Sequence, residues 1–219
     1  MIKIYYFIKA DGALTLRKDA VDMLRQWCPS LEAAVLSSAI KDAIPGRPAT
    51  LSGVLELWFE SVTEAEAASE FSPAALFVSS VEAASALMGM ERVVMRQPNF
   101  YEKNGVKGIY AFRRKGTMSV EQFQHYWWHN HGPIAASTEN ATCYVQCHVA
   151  KESYQNVPPA YDGVTELYWP DLSAALTALG SKQMAENQSS DAKNFVDLDS
   201  IELMIANQHM IIPPWKETL

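Results

Sequence analysis

The residues best suited to moving protons are unevenly placed along this chain. All five histidines, His125, His129, His131, His148 and His209, fall in the second half of the 219 residues, and imidazole is the side chain whose unperturbed charge changes between about pH 5 and 8. His131 stands before Gly132-Pro133 at an expected helix end. Two readings of it stand: a general base, or a ring that bonds the last helical carbonyls and meets the negative end of the helix dipole. His209 shares a strand face with Asn207 and is a second candidate base. Asp162 and Glu166 project from one face of one strand, with Glu56 placed to oppose them, and a carboxylate facing an apolar cavity has a raised pKa that suits acid or base work. Asp162 before Gly163 is equally a turn residue. Asp197 falls in an expected loop, with capping as its role.

Around these groups, Tyr110, Tyr144, Tyr168 and Trp58, with His148 and Glu56, are the side chains expected to line a flat, apolar substrate cavity, although aromatic residues also serve as ordinary core. His148 lies on a strand face with Tyr144 and Gln146, opposite Cys143, Val145, Cys147 and Val149. His125 and His129 are four apart on a helix but lack the glutamate of a metalloprotease helix, and surface is their default. Cys143 and Cys147 have poor spacing for a zinc knuckle, so no metal site is assigned. The sequence contains neither a Gly-x-Gly-x-x-Gly turn nor a phosphate-binding Gly-rich loop, which makes chemistry without a cofactor the simplest enzymatic reading.

Composition narrows the class of protein. A net charge of −7 disfavours a phosphate backbone or an acidic membrane surface as partner, so no nucleic acid is expected. The amino terminus lacks a signal-type apolar core and cleavage site, and no window has 18 uninterrupted apolar residues; a cytoplasmic protein with reduced thiols is expected from this and from its three cysteines.

The elements that must position these residues emerge from an internal repeat. Ser52-Gly53-Val54-Leu55-Glu56-Leu57-Trp58-Phe59 matches Asp162-Gly163-Val164-Thr165-Glu166-Leu167-Tyr168-Trp169, 110 residues later. Ile4-Tyr5-Tyr6-Phe7 matches Ile109-Tyr110-Ala111-Phe112 at a spacing of 105, Trp27-Cys28-Pro29 matches His131-Gly132-Pro133 at 104, and Phe77-Val78 matches Phe195-Val196 at 118. Each copy reads as strand, helix, strand, strand, helix, strand, the order of a ferredoxin-like unit. The expected strands are 2–9, 37–44, 52–59 and 88–96, then 107–114, 142–149, 162–169 and 201–212. Helices are expected over 15–27 and 62–70, with 72–88 equally Ala-rich, from Ser119 to Gly132-Pro133, and from Asp171 or Ser173 to Leu179. Ser119 and Gln122 form a capping box. The expected fold is α+β, two ferredoxin-like βαββαβ units, residues 1–100 and 105–219, joined into one barrel within the chain. Alternation in the matched strand puts Gly53, Leu55, Leu57 and Phe59 under helices and Val54, Glu56 and Trp58 between the sheets; Gly163, Thr165, Leu167 and Trp169 divide from Asp162, Val164, Glu166 and Tyr168 in the same way.

The string Met118-Ser119-Val120-Glu121-Gln122-Phe123-Gln124-His125-Tyr126-Trp127-Trp128-His129-Asn130-His131-Gly132-Pro133 resembles the EthD-domain family of the dimeric α+β barrel superfamily, with Tyr161-Asp162-Gly163-Val164, Glu166 and Phe195-Val196-Asp197 similar to its later motifs. The resemblance covers about residues 105–213; the first copy departs from it, with Trp27 in place of His131 and Ser52 and Ser79 in place of the two aspartates. It implies a small barrel with a hydrophobic pocket and places any chemistry in the second copy. Family members are associated with breakdown of ethers and aromatics, and fungal relatives act as dehydratases or tautomerases. The leading expectation is a cofactor-independent lyase or isomerase acting on an aromatic or polyketide-like carbonyl compound, with His131 or His209 as base and Asp162 or Glu166 as its partner. An oxidoreductase accessory protein of xenobiotic breakdown and a noncatalytic carrier of an apolar molecule are the alternatives. A homodimer is compatible with either.

Overall fold

The computed structural model describes residues 1–68, 70–98, 105–155 and 158–213. The expected junction between the copies, 101–104, and the final stretch 214–219 lie outside the described residues. Eight strands form the body: β1 (Ile2–Ala10), β2 (Ala33–Ala39), β3 (Gly53–Phe59), β4 (Val81–Arg96), β5 (Val106–Arg114), β6 (Cys143–Val149), β7 (Gly163–Trp169) and β8 (Val196–Ile212). They close into one antiparallel barrel in the order β1–β3–β2–β8–β5–β7–β6–β4. Helices α1 (Ala20–Trp27), α2 (Val62–Ala67), α3 (Val120–Tyr126), α4 (Gly132–Ala135), α5 (Leu172–Leu179) and α6 (Ser189–Ala192) connect them.

Strand alternation sorts the side chains as their sequence pattern requires. Ile4, Tyr6, Leu55, Leu57 and Phe59 pack with Leu24 of α1 outside the barrel, whereas Tyr5, Phe7, Val54, Ile109, Ala111 and Val164 meet inside it. Successive strand side chains point to opposite faces, so neither set can reach the other side. Leu51, Ala49, Tyr154 and Tyr161 join the inner cluster from the loops that follow β2 and β6.

Several boundaries differ from the sequence reading. The second strand occupies 33–39 rather than 37–44, and β4 begins at Val81, where Ala-rich sequence also reads as helix. Here long-range pairing overrides local propensity: Val81 to Met90 pairs with β1, and Gly89 to Arg96 pairs with β6. The first-strand repeat is also displaced by one residue. Tyr5 faces Glu56 and Ile109 faces Glu166 across their ladders, so Tyr5 matches Ile109 at a spacing of 104, not 105. A shift of one residue exchanges inner for outer faces; Lys3 therefore matches Lys107, and Tyr6 matches Tyr110.

The helix after Ser119 does not stop at Gly132-Pro133. Ser119 Oγ accepts from the Gln122 N–H and Gln122 Oε1 from the Ser119 N–H, the expected capping box. After α3 the chain widens into a π turn, Trp127–His131, in which the Gly132 N–H reaches the Trp127 carbonyl, and then continues as α4. Pro133 lacks an N–H and its ring crowds the carbonyl of the preceding turn. A π turn is one way for a helix to absorb that disruption.

Candidate active site

Inside the barrel, the matched strands bring together a set of charges that sequence alone did not assemble. Lys3 and Lys107 are fully buried with Glu56 and Glu166. Lys3 Nζ pairs with Glu166, lies 2.6 Å from Glu56 Oε2 and is 3.5 Å from Glu91 Oε2. Lys107 Nζ is 2.5 Å from Glu56 Oε1 and 3.4 Å from Glu166 Oε2. Tyr5 donates to Glu166 at 2.5 Å, Tyr168 donates to its other oxygen, Ser37 donates to Glu56 at 2.6 Å, and Trp58 Nε1 donates to Glu91 at 2.9 Å. Burial pushes the Glu166 carboxyl up, but Lys107 and Lys3 outweigh it and hold the group well below the usual range. Burial likewise opposes the Lys3 charge, and Glu166, Glu56 and Glu91 prevail and raise it.

This corrects the expectation that Glu166 is an acid or base with a raised pKa. Its charge is spent on the two lysines. Glu56, Tyr168 and Trp58 belong to the same interior network rather than to a cavity shared with His131.

His131 sits on the other side of the sheet. It is 8% exposed, and its Nδ1 lies 2.8 Å from Asp191 Oδ2. The π turn carries it there: His131 rests against the Phe195 ring, 4.8 Å between centroids, while Asp191 comes from α6 across the connection. Asp191 Oδ1 also accepts from Tyr126 at 2.7 Å, so the carboxylate is held from both sides. Burial lowers the His131 pKa from 6.5, with Asp191 opposing in part. The ring is therefore neutral at pH 7, with Nδ1–H donated to Asp191 and Nε2 left as the acceptor.

The ring opens on a cavity of about 120 Å³ whose wall includes Tyr110, Phe112, Trp127, Thr165, Leu167 and Gln188 as well as His131. Thr165 and Leu167 face it, so Glu166 and Tyr168 between and beyond them must face the barrel interior. Of the residues singled out from sequence, only His131 and Tyr110 line this cavity.

Each of the others has a different placement. Asp162 pairs with the Arg114 guanidinium, accepts from the Arg114 N–H at 2.9 Å and accepts from Tyr154 at 2.6 Å. It fastens the end of β5 to the start of β7, the structural alternative to acid chemistry. His209 is exposed, and Asp197 is an exposed residue of a separate surface depression. Tyr144, Gln146 and His148 lie behind the α3 helix: Gln146 Nε2 donates to the Trp127 carbonyl at 3.0 Å and to Tyr144 at 2.7 Å, and His148 Nε2 lies 2.9 Å from Gln146 Oε1 and stacks on Trp127. Burial, with Arg92 adding, lowers the His148 pKa to about 3. It is a neutral packing residue. His125 and His129 are exposed, their ring centroids 4.4 Å apart, and no group of three or more potential metal ligands occurs among the described residues.

Asp191 lies outside the motifs that mark Asp162 and Asp197 in the sequence. Its signal was its place one helical turn before Phe195, the ring on which His131 rests. Lys3 and Lys107 were missed because the one-residue misalignment of β1 with β5 put them out of register.

The sequence match pairs Trp27 with His131. The Trp27 ring packs on Phe71 at 5.5 Å, and Tyr6 packs on the same ring at 6.1 Å. Aromatic side chains there have no imidazole among them.

Comparison with known proteins supports the fold and one half of the sequence. An anthrone oxidase-like protein covers 100% of this chain and 96% of its own at a TM-score of 0.58 and 6% identity. A mutant chlorite dismutase from Candidatus Nitrospira defluvii covers 97% and 91% at 0.52 and 6%. A major regulator of staphylococcal pathogenesis covers 98% and 99% at 0.51 and 9%. Such different descriptions on one architecture establish the α+β barrel and leave the chemistry to the site. No curated protein matches the sequence. The EthD domain family model matches residues 115–199, the stretch that contains both His131 and Asp191. That stretch is similar to the EthD domain, and the chain that carries it folds as an α+β barrel.

Proposed function

We propose that the cavity beside His131 binds a compact apolar compound, a single aromatic ring or a carbonyl compound of that size, and that His131 transfers a proton on it, as an isomerase or dehydrating lyase does. The observation that carries this reading is His131 in the wall of an aromatic-lined cavity, with its ring held from behind by Asp191. A neutral imidazole whose tautomer is fixed by a carboxylate is ready to accept a proton at Nε2. The volume of about 120 Å³ is close to the ~150 Å³ of an apolar cavity that holds benzene. A fused polyketide would need the Met184–Gln188 segment to move aside. The name of the anthrone oxidase-like neighbour pairs this fold with an aromatic ketone and agrees with an aromatic ligand.

We further infer that residues 1–100 and 105–219 are two related units, the first a scaffold. The matched pairs Lys3 with Lys107 and Glu56 with Glu166 support this, as do the strand orders 4-1-3-2 and 8-5-7-6 of the two halves.

Deuterium wash-in from D₂O at the carbon next to the carbonyl of phenylacetone, followed by NMR, tests the chemistry. Exchange above the buffer rate that is lost in His131→Gln is the expected result. A protein that binds phenylacetone yet leaves exchange at the buffer rate is a carrier instead.

A further inference from the structure

We propose that Tyr126 is a positioning residue for His131: the π turn brings these side chains, five residues apart, onto one helix face, where they hold opposite oxygens of Asp191 and keep the imidazole proton on Nδ1. The inference rests on the reading of His131 as the base. The Tyr126 hydroxyl donates to Asp191 Oδ1 at 2.7 Å, and His131 Nδ1 lies 2.8 Å from Oδ2.

Regular helix geometry would keep the two residues apart. At 3.6 residues per turn, a separation of five runs about 140° past a full turn, and it is residues three or four apart that share a face. In the π turn Trp127–His131 the Gly132 N–H bonds the Trp127 carbonyl, five residues back, so the turn holds one extra residue. Phe195 shows the outcome, with its ring centroid 5.4 Å from that of Tyr126 and 4.8 Å from that of His131. The same two residues, Asp191 of α6 and Phe195 after it, therefore meet both side chains. In the first half, α1 is regular from Ala20 to Trp27 and ends at Cys28, before Pro29, the sequence match of Pro133. A helix at this place can simply stop ahead of the proline; in the second half it widens and continues, and the widening carries His131 to Asp191.

Tyr126 acts on the imidazole through the carboxylate. A carboxylate held at one oxygen is less free to turn about its Cβ–Cγ bond, so Oδ2 stays aimed at Nδ1 and favours a proton there over one on Nε2. The hydrogen bond to Asp191 raises the Tyr126 pKa, so the phenol keeps its proton and remains the donor. Asn194 donates to the Tyr126 oxygen at 3.0 Å and to Asp191 Oδ1 at 3.3 Å, which fixes the hydroxyl from the solvent side. The position of the ring proton decides what His131 can do. With the proton on Nδ1, the Nε2 electron pair is free to take a proton from a substrate; with the proton on Nε2, it is not.

Nitrogen-15 NMR of the full chain, labelled at histidine and held at pH 8, reads which ring nitrogen carries the proton, and His131→Gln identifies the His131 signals. The native chain should show Nδ1–H. Tyr126→Phe, which keeps the ring against Phe195, should move the His131 signals toward the Nε2–H form. It should also slow phenylacetone exchange by about 10- to 10²-fold with phenylacetone affinity unchanged. His131 signals in Tyr126→Phe that match the native Nδ1–H form overturn the positioning role, whatever the change in melting temperature, and leave His131 as the base. Nε2–H in the native chain overturns the positioning role and the reading of His131 as the base together.

Discussion

Lys107→Met removes one of the two ammonium groups from the barrel interior and leaves Lys3 alone with Glu56, Glu91 and Glu166. Lys107 is fully buried and contacts both Glu56 and Glu166, so its loss strands carboxylate charge in a dry site. Breaking a buried ion pair from one side costs about 3–5 kcal/mol. For a chain of this length that is a fall in melting temperature of roughly 6–20 °C, at about 2–4 °C per kcal/mol. The loss should also depend on pH. In the native protein the Glu166 pKa is depressed below 4.5, so its contribution is complete above that value and is lost only as pH falls through the lower folded pKa. Without Lys107, burial prevails for one of the carboxylates, which takes up a proton on folding. Its folded pKa then exceeds the unfolded one, and stability is lost as pH rises through the folded value. Thermal melts at pH 5 and pH 8 should therefore separate the two proteins, with Lys107→Met weaker at pH 8 by up to about 1.4 kcal/mol for each pH unit within the window. A second change, Glu56→Leu, which removes one charge of the opposite sign, should recover most of the loss. A penalty under about 1 kcal/mol with no pH dependence would refute the argument and mean that water reaches these groups.

The remaining predictions concern the outer site and its supports. Asp191→Asn should reduce phenylacetone exchange by about 10²-fold or more, because the fixed tautomer is lost, with little change in a thermal melt. Exchange should be flat above pH 6.5 and should fall at lower pH as His131 gains a proton; since its pKa is lowered by burial, the stability linked to it is also present at higher pH and lost as pH drops below 6.5. Asp162→Asn should cost about 1–2 kcal/mol in a denaturant titration, through the bonds to Arg114 and Tyr154, and leave the exchange rate per folded molecule unchanged. Gly163→Ala would place a methyl 2.5 Å from the Trp127 ring, so unfolding should become easier by about 1–3 kcal/mol and affinity for aromatic probes should weaken as that wall shifts.

The alternation in β3 and β7 was legible because the barrel obeys a period of two: Glu56 and Glu166 point inward, Leu57 and Leu167 outward, as the sequence pattern requires. What those inward carboxylates do was not legible. The Glu166 pKa depends on Lys3 and Lys107, and both carboxylates are met by these lysines, each more than fifty residues away in sequence, only when the ladders form. His131 was visible in its motif, but its partner depends on how the 183–192 segment folds back over the sheet, and no local pattern encodes that approach. His148 shows the reverse case: a strand position that reads as either face is settled by Trp127, whose ring covers it. At 72–88 the Ala-rich composition reads equally as helix, and the strand extends back from the expected 88–96 to Val81 because β1 offers it an edge there, as β6 does further on.

The closed strand order has a consequence for how this chain can meet another copy of itself. Because β2 pairs with β8 and β4 with β6, every strand has two neighbours, but Val81–Met88 of β4 pairs with β1 alone and Val196–Ile205 of β8 with β5 alone, so among the described residues the open strand edges are confined to these two stretches. Sheet extension by a second copy would have to use one of those two stretches; where the described strands are paired on both sides, a contact would run through side chains on the helices and loops outside. Contacts of that kind can change sequence without disturbing the hydrogen-bonded ring, so the stoichiometry of the assembly is free to diverge between relatives while the barrel stays constant.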